Sequence, residues 1–239
     1  LEIQLVKCEK RKIISMSNIS SILPKSFEWC DIPAGDVTIY PDRIDRVKSY
    51  LKQQTVFTVP AFKIAKDLVT NAQYDLFITH ADGYRNLAWW DFSDDAKNWR
   101  MNNTEPLKIG LVGDDKPRTN VAWYDAVAFC QWISAMSGEA MTLPTEPQWQ
   151  RFVHYDMWDL YFWGVVSEVD DVESVASMSD WCLTTYKTGH TDLLGTDDRV
   201  VKHGYRYVSD QAGFPVISCD GVHPYLGYQF IGFRLVMNT

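Results

Sequence analysis

The sequence predicts an α+β fold with few helices, short strands and much irregular chain. Three observations carry this. Capping boxes at Thr70-Asn71-Ala72-Gln73 and Thr145-Glu146-Pro147-Gln148 each open a segment of helical character. Aromatic and β-branched residues gather in short runs such as Phe57-Thr58-Val59 and Trp181-Cys182-Leu183, bounded by turn residues. Between them lie long stretches without period, above all 84–119 and 165–180.

The chain has 239 residues, 46% of them apolar, ten Trp and a net charge of -8. That length and apolar content support one sizeable core. No run of Lys and Arg offers a groove for phosphates, which argues against nucleic-acid binding. No apolar stretch approaches the ~20 residues that span a bilayer. Leu1 to Val6 are too few and too polar for a signal peptide. Cys8, Cys30, Cys130, Cys182 and Cys219 are odd in number and widely spaced, so they read as thiols rather than a disulfide framework or zinc site. The five His are scattered, and no metal-ligand spacing is present.

Residues 1–26 read as an irregular arm, and 27–239 as a single domain without repeat or linker. Phe27 to Ile39 suggests a hairpin turning at Pro33-Ala34-Gly35, and Phe57 to Lys66 one strand. The first helix starts at the Thr70 box, with Val69 stapled to Tyr74. Ala72, Leu76 and Phe77 form its apolar stripe, and Asp82-Gly83 ends it. Residues 84–119 read as padding around the core. The second helix spans about 122–136, with Trp123, Ala126, Val127, Cys130 and Ile133 on one face, Asp125 at its positive end and Gly138 as stop. A short third helix follows Thr145, with Pro147 in its first turn and Trp149, Phe152 and Val153 on the buried side. Glu168, Asp170, Asp171 and Glu173 read as a solvated acidic loop, since their spacing fits no calcium template. Residues 181–186 read as a strand, and Ile231 to Val236 as a closing one.

The stretch 203–230 differs in composition. It is rich in Tyr, Phe, Gly, Ser and Asp, has no Lys, Glu or Asn, and holds one Arg. Tyrosine supplies contact area with little rotamer entropy, while Ser, Gly and Asp supply adaptable polar contacts. The expected ligand-binding face is Tyr205, Tyr207, Ser209, Asp210, Phe214, Ser218, Asp220, His223, Tyr225, Tyr228 and Phe230. The aromatic members are expected to dominate affinity, and Asp210, Asp220 and His223 to tune selectivity.

Six motifs in order, FEWCDIPAG, VTNAQYDLFI, NVAWYDAVAFCQWI, LPTEPQWQ, WCLTTY and IGFRLV, resemble the formylglycine-generating enzyme (sulfatase-modifying factor) family over residues 27–236. The resemblance implies a C-type-lectin fold of that elaborated type. The family's enzymes oxidise a substrate cysteine with a copper ion held by two cysteines of the final segment. Aligned on Gly204, those positions are Val208 and Gly213 here, and neither can bind a soft metal. The Arg that commonly precedes Leu-Pro-Thr-Glu is Thr142, and the Asn-rich calcium segment before the WCLTTY strand has no close match.

A second branch of the fold fits these departures better. It comprises the variable proteins of diversity-generating retroelements, whose C-terminal stretch ends in IGFR-like residues and is diversified at adenines. The resemblance implies a receptor-recognition protein, not an enzyme, with no catalytic residue, metal or cofactor. Its partner would be a protein or glycan on another cell or virion surface, and its own location a virion or cell surface. The alternatives are an inactive relative with one fixed partner, or a copper-dependent oxidase acting on a sulfatase cysteine.

Overall fold

The computed structural model describes residues 23, 26–41, 49–156, 178–203 and 219–238. Its strands are β1 (Trp29–Ile32), β2 (Gly35–Ile39), β3 (Thr55–Val59), β4 (Phe62–Ala65), β5 (Met141–Thr142), β6 (Ser179–Thr185), β7 (Arg199–His203), β8 (Cys219–Val222), β9 (Ile231–Gly232) and β10 (Val236–Asn238). Its α-helices are α1 (Asn71–Thr79), α2 (Asp94–Asn102), α3 (Trp123–Ser137) and α4 (Glu146–Asp156), with a 3₁₀ turn over Leu87–Trp90. The strands form two four-stranded sheets, ordered β1-β4-β10-β5 and β8-β7-β6-β9, and a β2-β3 pair. Few helices, short strands and abundant irregular chain match the expected class. The acidic cluster 168–173 lies outside the described residues.

The hairpin expected within 27–39 does not form. β1 pairs with β4 and β2 with β3, both antiparallel. Ile32↔Phe62 and Gly35↔Val59 keep one register across the gap, so 29–39 and 55–65 make a single long ribbon. Pro33 and Pro60 lie in the gap. Proline lacks the N–H a ladder needs, and the ribbon breaks there into two sheets. This also divides the single strand expected over 57–66.

Both capping boxes form as the sequence predicts. Thr70 N donates to Gln73 Oε1 at 2.9 Å, and Gln73 N returns a bond to Thr70 Oγ1 at 3.3 Å. Thr145 and Gln148 repeat the exchange at 3.0 and 3.3 Å. The buried face of α1 is shifted from the expected stripe. Asn71, Gln73, Tyr74 and Phe77 are buried, whereas Ala72 and Leu76 are only partly covered. The helix ends at Thr79, before Asp82-Gly83.

α3 is buried on nearly every side, not on one stripe. A helix apolar all round belongs at the centre of a core. Its end follows the sequence: Gly138 caps it at φ 79°, a left-handed conformation that suits glycine. Around it, the Phe77 ring meets Tyr74, Tyr84, Trp90, Phe129 and Trp132 at centroid distances of 5.2–5.9 Å. Leu23, within the expected arm, is buried in the same cluster. Residues 84–103 therefore do pad the core, but they contain α2, which was not expected. Its sequence has no apolar stripe, and only Ala96 and Arg100 are buried. Ser93 caps it by accepting from Ala96 N at 3.1 Å.

The closing run 231–236 is not one strand. β9 pairs in parallel with β6, and β10 pairs with β4 and β5 in the other four-stranded sheet. The chain crosses between sheets at Phe233-Arg234-Leu235. Arg234 holds Asp180 of β6 with Nε at 2.9 Å and Nη2 at 3.2 Å. Its Nη1 donates to the carbonyls of Ala65 at 3.3 Å and Lys66 at 2.8 Å. Trp149 Nε1 donates to Asp180 Oδ2 at 2.8 Å. Beside this hub, Lys202 and Glu146 pair at 3.0 Å with side chains 1% exposed. Glu146 also accepts from the Tyr50 hydroxyl at 2.8 Å. Buried ion pairs of this kind are costly to break by halves. Replacing Arg234 by Ala is expected to cost about 3–5 kcal/mol in denaturant unfolding, because Asp180 loses its counter-charge. The paired change Asp180→Asn with Arg234→Met should cost less than either single change. A strictly additive pair would contradict this account.

Asp125 departs from its expected role at the helix dipole. It is buried, and accepts from Tyr84 Oη and Trp90 Nε1, each at 3.2 Å. Burial pushes its carboxyl up to about 7, against those hydrogen bonds and nearby Arg100. The folded state thus keeps a proton that the unfolded chain releases near pH ~4. Stability from this group is full below that pH, falls as pH rises toward about 7, and levels off above. Asp125→Asn should flatten the fall in melting temperature between about pH 4 and about pH 7. An unchanged slope would refute the assignment.

Candidate functional site

β7 and β8 form the platform. Arg199↔Val222 to Lys202↔Cys219 pair antiparallel, and β7 pairs in turn with β6. From β8 the chain runs through 223–230 into β9. Its main chain is tied down by scaffold amides. Tyr124 N donates to Pro224 O at 3.5 Å, Asn120 N to Tyr228 O at 2.9 Å, and Ser179 N to Phe230 O at 2.7 Å. Turns close within the stretch, Leu226 N to His223 O and Ile231 N to Tyr228 O, both at 3.0 Å. None of these bonds uses a side chain of the expected face.

Tyr205, Tyr207, Ser209, Asp210, Phe214 and Ser218 lie outside the described residues. The other five expected face residues lie along 220–230, and all are exposed. Tyr225, Tyr228 and Phe230 are 45%, 46% and 55% exposed, large apolar rings that solvent reaches. The two polar members are engaged. His223 Nδ1 lies 2.9 Å from Asp198 Oδ1, and its ring stacks on Tyr225 at 5.0 Å and 14°. Asp220 Oδ2 lies 2.9 Å from His203 Nε2, and this hydrogen bond holds the Asp220 carboxyl below its usual range. His203 Nδ1 is 2.8 Å from Ser179 Oγ. Serine, histidine and aspartate thus stand in line, but the serine is buried and the aspartate exposed. A nucleophile must be reachable by substrate, so the trio fixes the roots of β7 and β8 rather than offering an attacking group.

Several contributors were not legible in sequence. Asn120 adopts φ 56°, a region Asn tolerates better than most residues. Its side chain donates to Lys108 O at 2.7 Å. Gly227 fits against this turn, since an added Cβ would meet Leu107 Cδ1 at 2.6 Å and Asn120 Oδ1 at 2.8 Å. A Cβ at Gly110 would meet the backbone of Gln229 at 3.1 Å. Residues 107–120 therefore border the face, while 84–103 pad the core. Asp198, whose Oδ1 lies beside His223 without a hydrogen bond, carries no local sequence signal. The Asn120 that precedes α3 and the Gly227 between two aromatics were the cues available.

The residues aligned with the family's copper ligands do not fit the metal. Val208 and Gly213 carry no ligating side-chain atom. Cys219 is buried in β8. Among the described residues, no group of three or more His, Cys, Asp and Glu is placed to hold a metal ion.

Because the backbone is held independently, the rings should be dispensable for folding. Tyr225→Ala, Tyr228→Ala and Phe230→Ala are each expected to change stability by no more than about 0.5 kcal/mol. Thermal unfolding followed by circular dichroism checks this, and a large drop would place the rings in the core.

Comparison with known proteins follows the same division. The sulfatase-modifying factor enzyme 1-like domain matches residues 27–172. A hercynine oxygenase of Mycolicibacterium thermoresistibile is 32% identical over 113 residues, 42% of this chain and 24% of that protein. The uncharacterized protein YfmG of Bacillus subtilis is 25% identical over 174 residues, 72% of this chain and 34% of that protein. The chain thus spans about a quarter to a third of the length of these curated relatives. Among solved structures, Treponema denticola variable protein 1 superposes with a TM-score of 0.55 at 15% identity, covering 91% of this chain and 97% of that one. CarF gives 0.52 at 17% identity, covering 91% and 100%. At such identity these two speak for the fold. With its two sheets, central helix and crossing C-terminal segment, the chain has the C-type-lectin fold of the formylglycine-generating-enzyme type and belongs to the sulfatase-modifying factor enzyme 1-like domain family.

Proposed function

We propose that this chain is a ligand-binding variable protein of a diversity-generating retroelement, with 203–230 as its diversified recognition surface. The observation that carries the reading is the separation of backbone from side chains over 223–230. Main-chain bonds from Asn120, Tyr124 and Ser179 hold the stretch, while Tyr225, Tyr228 and Phe230 project to solvent. Such a surface can change its side chains without changing its frame. The extent of the family match supports the same division, since 27–172 covers much of the scaffold and the recognition stretch lies beyond it. On this reading, 27–239 acts as one recognition domain and 1–26 as an arm. The partner is a protein or glycan on another cell or virion surface.

Relatives named as oxygenases favour a second reading, an enzyme. The donor set speaks against the copper form of that reading, because Val208 and Gly213 replace the thiolates. An inactive relative with one fixed partner is a separate reading.

Deep sequencing of the 3′ end of this gene from a natural population separates these readings. Variation is expected to concentrate in codons 203–230, with Gly227 and the run 231–236 constant. A uniform sequence across the population would instead favour a fixed partner.

A further inference from the structure

The loop 107–113, which borders the recognition stretch, is built on the same plan as 223–230. Scaffold side chains take its carbonyls. Arg118 Nη2 donates to Leu107 O at 3.0 Å, and Asn120 Nδ2 to Lys108 O at 2.7 Å. Asn71 Nδ2 donates to Leu111 O at 2.7 Å and to Gly113 O at 2.8 Å. Just beyond, the carbonyls of Asp114 and Lys116 accept from the first amides of α1, at Ala72 and Asn71. Arg118 and Asn71 are buried, so these bonds fasten the loop to the scaffold. The side chains it leaves to solvent include two apolar ones. Ile109 is 41% exposed and Val112 84%.

This loop and the recognition stretch adjoin. Asn120 joins them, because its amide donates to Tyr228 O while its side chain holds Lys108 O. A Cβ added at Gly110 would meet Gln229 O at 3.1 Å and Gln229 Cα at 3.2 Å, so the two main chains pass with no side chain between them. Ile109 precedes that crossing on one segment, and Tyr228 and Phe230 flank it on the other. Both segments thus bring exposed apolar side chains to one junction. The charges there balance: within 107–120, Lys108, Lys116 and Arg118 stand against Asp114 and Asp115, and Asp75 lies 3.7 Å from Arg118.

An apolar and locally neutral junction selects its partner by desolvation. A saccharide carries hydroxyls over most of its surface, and each one buried without a hydrogen bond costs free energy. The side chains of Ile109 and Val112 offer no donor or acceptor, and the loop carbonyls are already engaged. An apolar patch of a polypeptide meets no such penalty. The centres of protein interfaces have this composition, with aromatic anchors and few charges. Main chain held in place before binding also spares the ordering entropy of a loop. We propose that the 107–113 loop is a second, constant part of the recognition face, and that Ile109 and Val112 with Tyr228 and Phe230 seat an apolar patch of a polypeptide partner. This rests on the recognition-surface reading above and narrows the partner to a protein. Because 107–113 lies outside 203–230, it gives every version of the face the same apolar foothold.

The test is panning of a random cyclic-peptide library on the folded chain at physiological salt, beside a glycan array. Four proteins are compared. These are the unaltered chain, Ile109→Ser with Val112→Ser, Tyr228→Ser with Phe230→Ser, and Val56→Ser, which alters an exposed apolar residue of β3 as a control. Peptides rich in aromatic and aliphatic residues are expected on the unaltered chain and the control. Each double variant should retain them on the order of tenfold less. Peptides that need the rings but ignore the loop variant would overturn the shared face and leave the recognition surface standing. Equal loss in all three variants would mean general apolar adhesion, and the proposal fails. Glycans that need the rings, with no peptide enriched, would overturn the protein partner. Peptides that ignore the ring variant, or no enrichment of either kind, would also overturn the proposal, and population sequencing would then judge the surface separately. The four melting temperatures should agree, and if the loop pair lowers its own, Val112→Ser alone replaces it.

Discussion

Arg234 is the side chain on which the architecture turns. It lies where the chain passes from β9 to β10, between the two four-stranded sheets. One guanidinium edge grips Asp180 of one sheet, and another amino group takes the carbonyls that end β4 in the other. A planar, always-charged group with a fixed fork can bridge two such frames, and a lysine cannot reproduce the geometry. The neighbouring Lys202–Glu146 pair ties β7 to the start of α4. Arg234 fixes one four-stranded sheet against the other, and the Lys202–Glu146 pair fixes the helix beside them. The platform under the candidate face inherits its rigidity from them.

That rigidity matters because the rings of the face lie in solvent rather than in the core. Exposed rings on a loop ordinarily order poorly. Here the loop is ordered by amides from three separate scaffold segments, at Asn120, Tyr124 and Ser179. The same family scaffold carries proteins named as oxygenases and, at the level of fold alone, a variable protein. Function on such a scaffold depends on what occupies the segment between β7 and β9. In this chain that segment offers aromatic and acidic side chains in place of a thiolate pair.

Local chemistry was legible in the sequence and non-local chemistry was not. Both capping boxes, the glycine stop at Gly138 and the buried Trp149-Phe152-Val153 side of α4 depend on residues within a turn of one another, and all were readable. The α2 helix escaped because Asp94 to Asn102 buries only Ala96 and Arg100, so no stripe marks it. The pairing of β1 with β4 escaped because proline reads as a turn, whereas here two prolines interrupt one ribbon. Asp125 looked like a dipole partner because its depth is set by Tyr84 and Trp90, far away in sequence. The exposure of Tyr225, Tyr228 and Phe230 followed from composition, but the approach of Asp198 to His223 follows only from tertiary structure.

The parallel β9 and the antiparallel β10 come last along the chain, yet β10 is an inner strand of its sheet. A ribosome therefore makes residues 203–230 before it makes the residues that complete the core. A premature stop or a shifted reading frame anywhere in 203–230 removes Arg234 and leaves β4 and β5 without the strand between them. The product is an incomplete fold, open to proteolysis, rather than a folded protein bearing a damaged face. Among genetic variants of the stretch, only those that preserve the frame through Arg234 and β10 yield a finished molecule, so the fold acts as a proofreader of the segment that precedes them.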